Sequence, residues 1–141
     1  IMLQQTQVDR VREKYSAFVE EFPTPADLAG ASQADALRLW KGLGYNRRAL
    51  FLKRAAETIV AEHGGIVPGD QESLVALPGI GPNTAAAIRA YAFDQPAVYV
   101  ETNIRAVYIH HFFPGEEKVK DADILPVVEK TLDRSNPRRW Y

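Results

Sequence analysis

The stretch "LPGIGPNTAA", residues 77–86, decides how the chain is read, because it sets Leu-Pro-Gly-Ile-Gly-Pro directly before a run of helix-forming alanines. Gly79 and Gly81 flank one apolar residue, so the backbone can turn sharply while Ile80 stays aimed at a core. Pro82 suits the first turn of a new helix, where a missing N–H costs nothing. The stretch therefore predicts a hairpin joining two helices over about residues 70–92. It ends on backbone N–H groups at a helix N-terminus, which is a ready anion site.

Composition bounds what surrounds that hairpin. With 141 residues, 46% hydrophobic and 25% charged, the chain is of single-domain size and long enough to bury a core. No apolar run approaches the roughly 20 residues of a membrane span, and no signal-peptide pattern opens the chain. The absence of cysteine excludes disulfides, thiol nucleophiles and thiolate-ligated metal within these residues. A formal net charge of −1 gives no electrostatic footprint for a polyanion. This weighs mildly against nucleic acid, since local distribution matters more than the total.

Helical signals run almost throughout, so the expected fold class is all-α. Val8, Val11, Tyr15, Phe18 and Phe22 recur at steps of three and four, the stripe of one buried helix face, and Pro23 ends it. Thr24-Pro25 is an N-cap and N1 pair opening a short helix that Gly30 closes. Ser32 and Asp35 resemble a capping box, and the helix after them carries Leu37, Leu39 and Trp40 until Gly42 and Gly44 break it. The next helix, about residues 46–63, buries Leu50, Leu52, Ala56 and Ile59 and stops at Gly64-Gly65. Asp70 or Ser73 begins the helix before the hairpin, and residues 84–92 form the one after it. "PAVYVETNIRAVYIHHFF" (96–113) passes from an extended apolar segment into a helix starting near Glu101 and Thr102. A last amphipathic helix spans about residues 120–133, with Pro126 disturbing its period. Both ends read as those of an internal piece: residues 1–4 begin inside a helical pattern without a cap, and Asn136-Pro137 opens a helix four residues before Tyr141.

Three further stretches, "IMLQQTQV" (1–8), "LWKGLGYNRRA" (39–49) and "VETNIRAV" (100–107), join "LPGIGPNTAAAI" (77–88) in one order along the chain. Together they resemble the helix-hairpin-helix (HhH-GPD) DNA glycosylases, in the MutY-like A/G-specific adenine branch, over essentially all 141 residues. The resemblance implies a helix-hairpin-helix glycosylase core truncated at both ends, with residues 1–141 a fragment of the catalytic domain. It also implies double-stranded DNA carrying a mismatched or damaged base as partner, a monomer, and a cytoplasmic, nucleoid-associated protein if bacterial.

Residue by residue, the family's hairpin amides that bind phosphate fall on Gly79, Ile80 and Gly81, with Asn83 and Thr84 following in the same DNA-binding stretch. Such contacts need no lysine, so the near-neutral charge is no obstacle. A monovalent cation is implied at the backbone carbonyls around Leu77 and Ile80. Gln5 and Thr6 fall on the wedge that enters the base stack, and Tyr45 on the aromatic that presses on it from another loop. A base must leave the duplex before its glycosidic bond can be cut, and a polar wedge with a stacking ring fills the vacancy. Plainer readings compete: a solvated helix face for Gln5, and for Tyr45 a loop aromatic packed on a neighbouring helix.

Glycosidic cleavage passes through an oxocarbenium-like state that a carboxylate stabilises, while a second acid protonates the leaving base. The first carboxylate falls on Glu101, where the family has Asp, and its plainer reading is an acid on a helix N-terminus. The second falls one residue before Ile1, so these 141 residues alone are expected not to complete the reaction. Lyase members of the superfamily have a lysine where this chain has Asn83, and an amide forms no Schiff base, so base excision by water is expected. Alternatively, the Asp-to-Glu departure fits a catalytically silent helix-hairpin-helix module that binds DNA. A [4Fe–4S] cluster is implied only for a segment beyond Tyr141. His110-His111 is expected to hold no metal, since neighbours on a helix point apart, and His63 reads as the cation of a helix C-terminus. Arg47, Arg48, Lys53 and Arg54 form either a phosphate-lining patch or a solvated face.

Overall fold

Short polar residues set where the helices begin, and a computed structural model describes the result for every residue, Ile1–Tyr141. Its nine helices are joined by turns and extended segments, without a strand. The chain divides into two compact units, Ile1–Ile80 and Gly81–Tyr141.

The first unit holds α1 (Val8–Glu21), α2 (Pro25–Gly30), α3 (Gln33–Trp40), α4 (Arg47–His63) and α5 (Gln71–Ala76). Thr24 caps α2 in a full capping box with Asp27, and Ser32 caps α3 by accepting the Asp35 N–H. Asp70, not Ser73, caps α5, its carboxylate accepting the Ser73 N–H at 2.8 Å. Gly64 ends α4 in the left-handed conformation that glycine adopts freely. Helix α4 packs against α2 and α3, and α3 against α1. The core between them is built from Val11, Phe18, Leu28, Ala36, Trp40, Leu43, Ala49 and Ala56. Trp40 is fully buried, with Phe18 edge-on to its ring at 6.3 Å.

Two expectations fail here. In α1 only Val11 and Phe18 are buried, whereas Val8 and Tyr15 are more than half exposed. The apolar stripe is longer than the neighbouring surface available to cover it. Residues 2–6 form turns and a bend rather than a helical lead-in, and the Gln4 N–H donates to the Ile1 carbonyl at 3.0 Å.

The second unit holds α6 (Pro82–Phe93), α7 (Thr102–Phe112), α8 (Asp121–Thr131) and α9 (Pro137–Trp140). Helix α6 starts two residues earlier than the sequence pattern suggests, because Pro82 occupies its first position. Pro126 is accommodated inside α8, which ends at Thr131 rather than Asp133. Helix α9 packs on α6, and α8 on α7. The segment between α6 and α7 is extended and buries Ala97, Tyr99 and Val100. Tyr141 ties that segment down: its ring stacks on Tyr99 at 4.3 Å, and its hydroxyl donates to the Ala97 carbonyl at 2.9 Å. No helix is long and apolar enough to cross a membrane.

Candidate functional site

The turn after α5 is made by residues 77–80. Leu77 caps α5, and the Ile80 N–H donates to the Leu77 carbonyl at 3.1 Å. Of the three amides expected to face a phosphate, Ile80's therefore already has a partner. Its side chain is buried as the sequence suggested, with Leu77. Gly79 is the residue this turn requires. Its φ of +79° is strained for any L side chain, and an added Cβ would lie 2.7 Å from Phe51 Cβ. Gly81, at φ −87°, has ordinary extended geometry and open space around it. The sharp turn thus belongs to Gly79 alone.

The wedge segment and the aromatic loop come together in the same unit. Gln5 and Tyr45 both have positive φ, at 56° and 47°, an unusual state for non-glycine residues. Gln5 is exposed but lies on a turn rather than a helix face, and Tyr45 is 67% exposed although one side of its ring meets Arg48 of α4. The Thr6 hydroxyl points inward, donating to the Leu43 carbonyl at 3.4 Å and accepting from Arg48 Nη2 at 2.7 Å. Gln4 reaches the hairpin, its Nε2 donating to the Gly79 carbonyl at 3.2 Å.

Arg48 sits at the centre of this arrangement. Its guanidinium donates to the carbonyls of Ile1 (3.3 Å), Met2 (3.0 Å) and Gln4 from Nη1, and of Leu43 and Gly44 (both 3.1 Å) from Nη2. The ring of Trp40 lies 5.3 Å and that of Tyr45 5.6 Å from its central carbon. Burial pulls its pKa below the ordinary arginine value, yet a guanidinium remains charged at neutral pH. A surface phosphate-lining patch is thus the wrong description for Arg48 and for Lys53, both buried. Lys53 Nζ donates to the Ala29 carbonyl at 3.0 Å and pairs with Glu57. Of the residues that meet here, the sequence had assigned Gln5, Thr6, Tyr45 and Gly79, and Arg48 only as one of a basic cluster. Arg48 carries a legible signal: with Leu52, Ala56 and Ile59 it falls on the buried face of α4.

In the second unit Glu101 is the N-cap of α7. Its Oε1 accepts the Ile104 N–H at 2.8 Å and its Oε2 the Asn103 side-chain amide at 3.3 Å. Asn83, in the first turn of α6, donates to the Val100 carbonyl at 3.0 Å and so holds the backbone next to Glu101. Thr84 is half-buried one position further along α6. The carboxylate folds back onto its own helix while still partly exposed. His110 and His111 do not diverge as expected, their rings lying edge to face at 4.8 Å. No group of three His, Cys, Asp or Glu residues has metal-binding geometry.

An all-helical chain in which a glycine turn joins a capped helix to a proline-started one has the helix-hairpin-helix architecture. The chain belongs to the HhH-GPD superfamily of base excision DNA repair proteins, whose family model matches residues 1–126. It is similar to the adenine DNA glycosylase of Mycolicibacterium smegmatis, 39% identical over 127 residues, 88% of this chain and 43% of that protein. It is similar too to the Mycobacterium tuberculosis adenine DNA glycosylase, 46% identical over 75% of this chain and 35% of that protein. The chain spans less than half the length of these relatives. Among solved structures, a thermostable thymine-DNA glycosylase superposes with a TM-score of 0.87 at 25% identity, covering 99% of this chain and 65% of that one. A trapped endonuclease III–DNA covalent intermediate, at 21% identity and TM-score 0.82 over 99% and 64% of the two chains, shares the fold.

Proposed function

We propose that the protein containing this chain is a monofunctional DNA N-glycosylase of base excision repair, removing adenine opposite 8-oxoguanine or guanine. The observation that carries this reading is the pair of left-handed residues, Gln5 and Tyr45, held by one buried guanidinium. A protein that only binds duplex has no use for a rigid polar wedge and an exposed ring, whereas one that extrudes a base needs both. The relatives named adenine DNA glycosylase support the choice of base.

In this reading residues 1–141 are part of the catalytic domain of a cytoplasmic, monomeric protein. The hairpin amides of Gly79 and Gly81 take a backbone phosphate, Ile80's being engaged, and a monovalent cation on the Leu77 and Ile80 carbonyls would steady the turn. The Leu77 oxygen keeps one lone pair for such an ion beside its bond to Ile80. Residues 1–141 contain no cysteine, so they supply no ligand to a [4Fe–4S] cluster. As the C1′–N bond breaks, the base leaves with a proton from an acid and positive charge grows on the sugar. The Glu101 carboxylate stabilises that charge, and water then adds to C1′, its proton returning to the acid that protonated the base. Asn83 has no amine to attack the sugar, so the strand stays intact until alkali.

Glu101 favours a second reading, a silent DNA-binding module, because its carboxylate already accepts two hydrogen bonds from its own helix. Single-turnover excision by the full-length protein on A opposite 8-oxoguanine, A opposite G, and T or U opposite G, with and without hot alkali, separates the two. Adenine release with strand breaks only after alkali is the expected result. Binding without any product would establish the silent module.

A further inference from the structure

We propose that Arg48 is a positioning residue for base flipping, its buried guanidinium fixing the left-handed turns at Gln5 and Tyr45 by binding the carbonyls that precede them. The inference rests on the excision reading above for its substrate but on geometry for its substance. A residue such as Gln5 or Tyr45 at positive φ is strained, so it persists only where its surroundings over-determine it. Arg48 brackets both residues. At Gln5 it holds the carbonyl of Gln4 on one side and the hydroxyl of Thr6 on the other. At Tyr45 its side chain holds the Gly44 carbonyl at 3.1 Å, and its own backbone N–H holds the Tyr45 carbonyl at 2.9 Å. The two peptide planes flanking Tyr45 are thus fixed by a single residue.

No other side chain could replace it. The acceptors lie on two segments some forty residues apart in sequence, the carbonyls of Ile1, Met2 and Gln4 on one and those of Leu43 and Gly44 on the other. The two terminal nitrogens of a planar fork, set apart from each other, reach both, Nε making no bond, whereas an ammonium offers three donors from one point. Trp40 supports the arrangement from below, its ring 5.3 Å from the guanidinium and its Nε1 donating to the same Gly44 carbonyl at 3.0 Å. The wedge residue and the stacking residue are therefore set as a pair: what displaces one displaces the other.

The test uses the full-length protein with Arg48→Lys, and Thr6→Val as a milder variant that removes one acceptor and leaves the charge otherwise bonded. Two readouts are compared, 2-aminopurine fluorescence at the target position, which reports unstacking without chemistry, and single-turnover excision of adenine from a paired duplex and from a one-base bulge. A bulged base is already out of the stack and needs no wedge. Arg48→Lys is expected to lose about a hundredfold on the paired duplex, as a misplacement near 1 Å would, with loss of the fluorescence rise and a much smaller effect on the bulge. Thr6→Val should move in the same direction by about tenfold, the loss of one hydrogen bond to a charged group. Equal losses on paired and bulged substrates in both variants, or no loss in either, would overturn the inference. If Arg48→Lys does not fold, Thr6→Val alone decides by the same paired-to-bulged ratio. Should the wild-type protein brighten 2-aminopurine yet release no base, the excision reading fails, and the loss or survival of brightening in the variants judges Arg48.

Discussion

The loops of residues 1–6 and 43–45 and the helix start at Glu101 are held by opposite means. In the loops, two strained residues depend on a guanidinium whose acceptors come from distant parts of the chain. At Glu101 the carboxylate is held locally, by N–H groups two and three residues ahead in the helix it begins, and only the preceding carbonyl is tied to another helix, by Asn83. Long-range holding gives a fixed shape that fails as a unit, whereas a local cap can re-form after almost any distant change. In the proposed excision, the wedge has to keep its shape against a stacked duplex. In the same proposal the carboxylate exchanges its two N–H partners, one backbone and one side-chain amide, for a developing cation.

Glu101 is the place where that contrast breaks first. Glu101→Gln in the full-length protein is expected to lower single-turnover excision by about 10²–10³-fold, the usual scale for losing a charge-stabilising group. Its cost to stability should be only about 1 kcal/mol, the scale of an N-cap. Glu101→Asp keeps the charge and is a strong N-cap residue, so it should fold as well as the parent and lose less rate than Gln. An unchanged rate for Glu101→Gln would make the residue a helix cap only.

Gly79 tests the other side. Gly79→Ala combines a left-handed alanine with a Cβ placed 2.7 Å from Phe51 Cβ, and should destabilise by about 2–4 kcal/mol in denaturant unfolding. Because the nearest atom is Phe51's own Cβ, adding Phe51→Ala does not relieve the clash. Gly81→Ala, with ordinary φ and nothing within 4 Å, should cost no more than about 1 kcal/mol. Equal costs at the two glycines would mean that the turn does not depend on Gly79.

In the second unit Tyr141 is itself held at long range, stacking on Tyr99 and bonding the Ala97 carbonyl. Burial raises the pKa of both phenols, that of Tyr99 strongly, with the neighbouring tyrosines adding to it. A raised folded-state pKa means stability that is full below the unfolded value, about 10 for tyrosine, and lost as pH rises beyond it. Thermal melts above that pH should therefore fall more steeply than those of Tyr141→Phe, which has one fewer phenol to ionise. Parallel pH profiles would remove the tyrosine pair as their cause.

Legibility in the sequence follows the same division. Thr24 and Ser32 could be read directly, and Asp70 as one of two candidates, because a cap acts within three residues of itself. Glu101 was legible at the same level as an acid at a helix start. Arg48 was not placed, because charge argued for the surface while its partners lie on loops that no local pattern connects. Its position on the buried face of α4 was the available clue, and Lys53 shares it. Val8 and Tyr15 misled in the opposite sense: period reports which face is apolar but not how far a neighbouring element extends to cover it. The left-handed states of Gln5 and Tyr45 had no signature, since neither residue type prefers positive φ.

Asp70 gives the smallest effect and the cleanest control, being a local cap inside the unit whose loops are held at long range. The Ser73 backbone N–H, helped by the Ser73 side chain, holds its carboxyl below the ordinary aspartate range. A depressed folded-state pKa contributes stability that is present above the unfolded value, near 3.9, and is lost as pH falls through the folded one. Carboxyl NMR should accordingly show Asp70 titrating below an unbonded aspartate, with the Ser73 amide shifting in step. The backbone amides of Gln5 and Tyr45 should stay still across that range, because their carbonyl partners answer to an arginine that does not titrate there. If they move together with Ser73, the loops and the cap are one cooperative structure, and the contrast between long-range and local holding fails inside this unit.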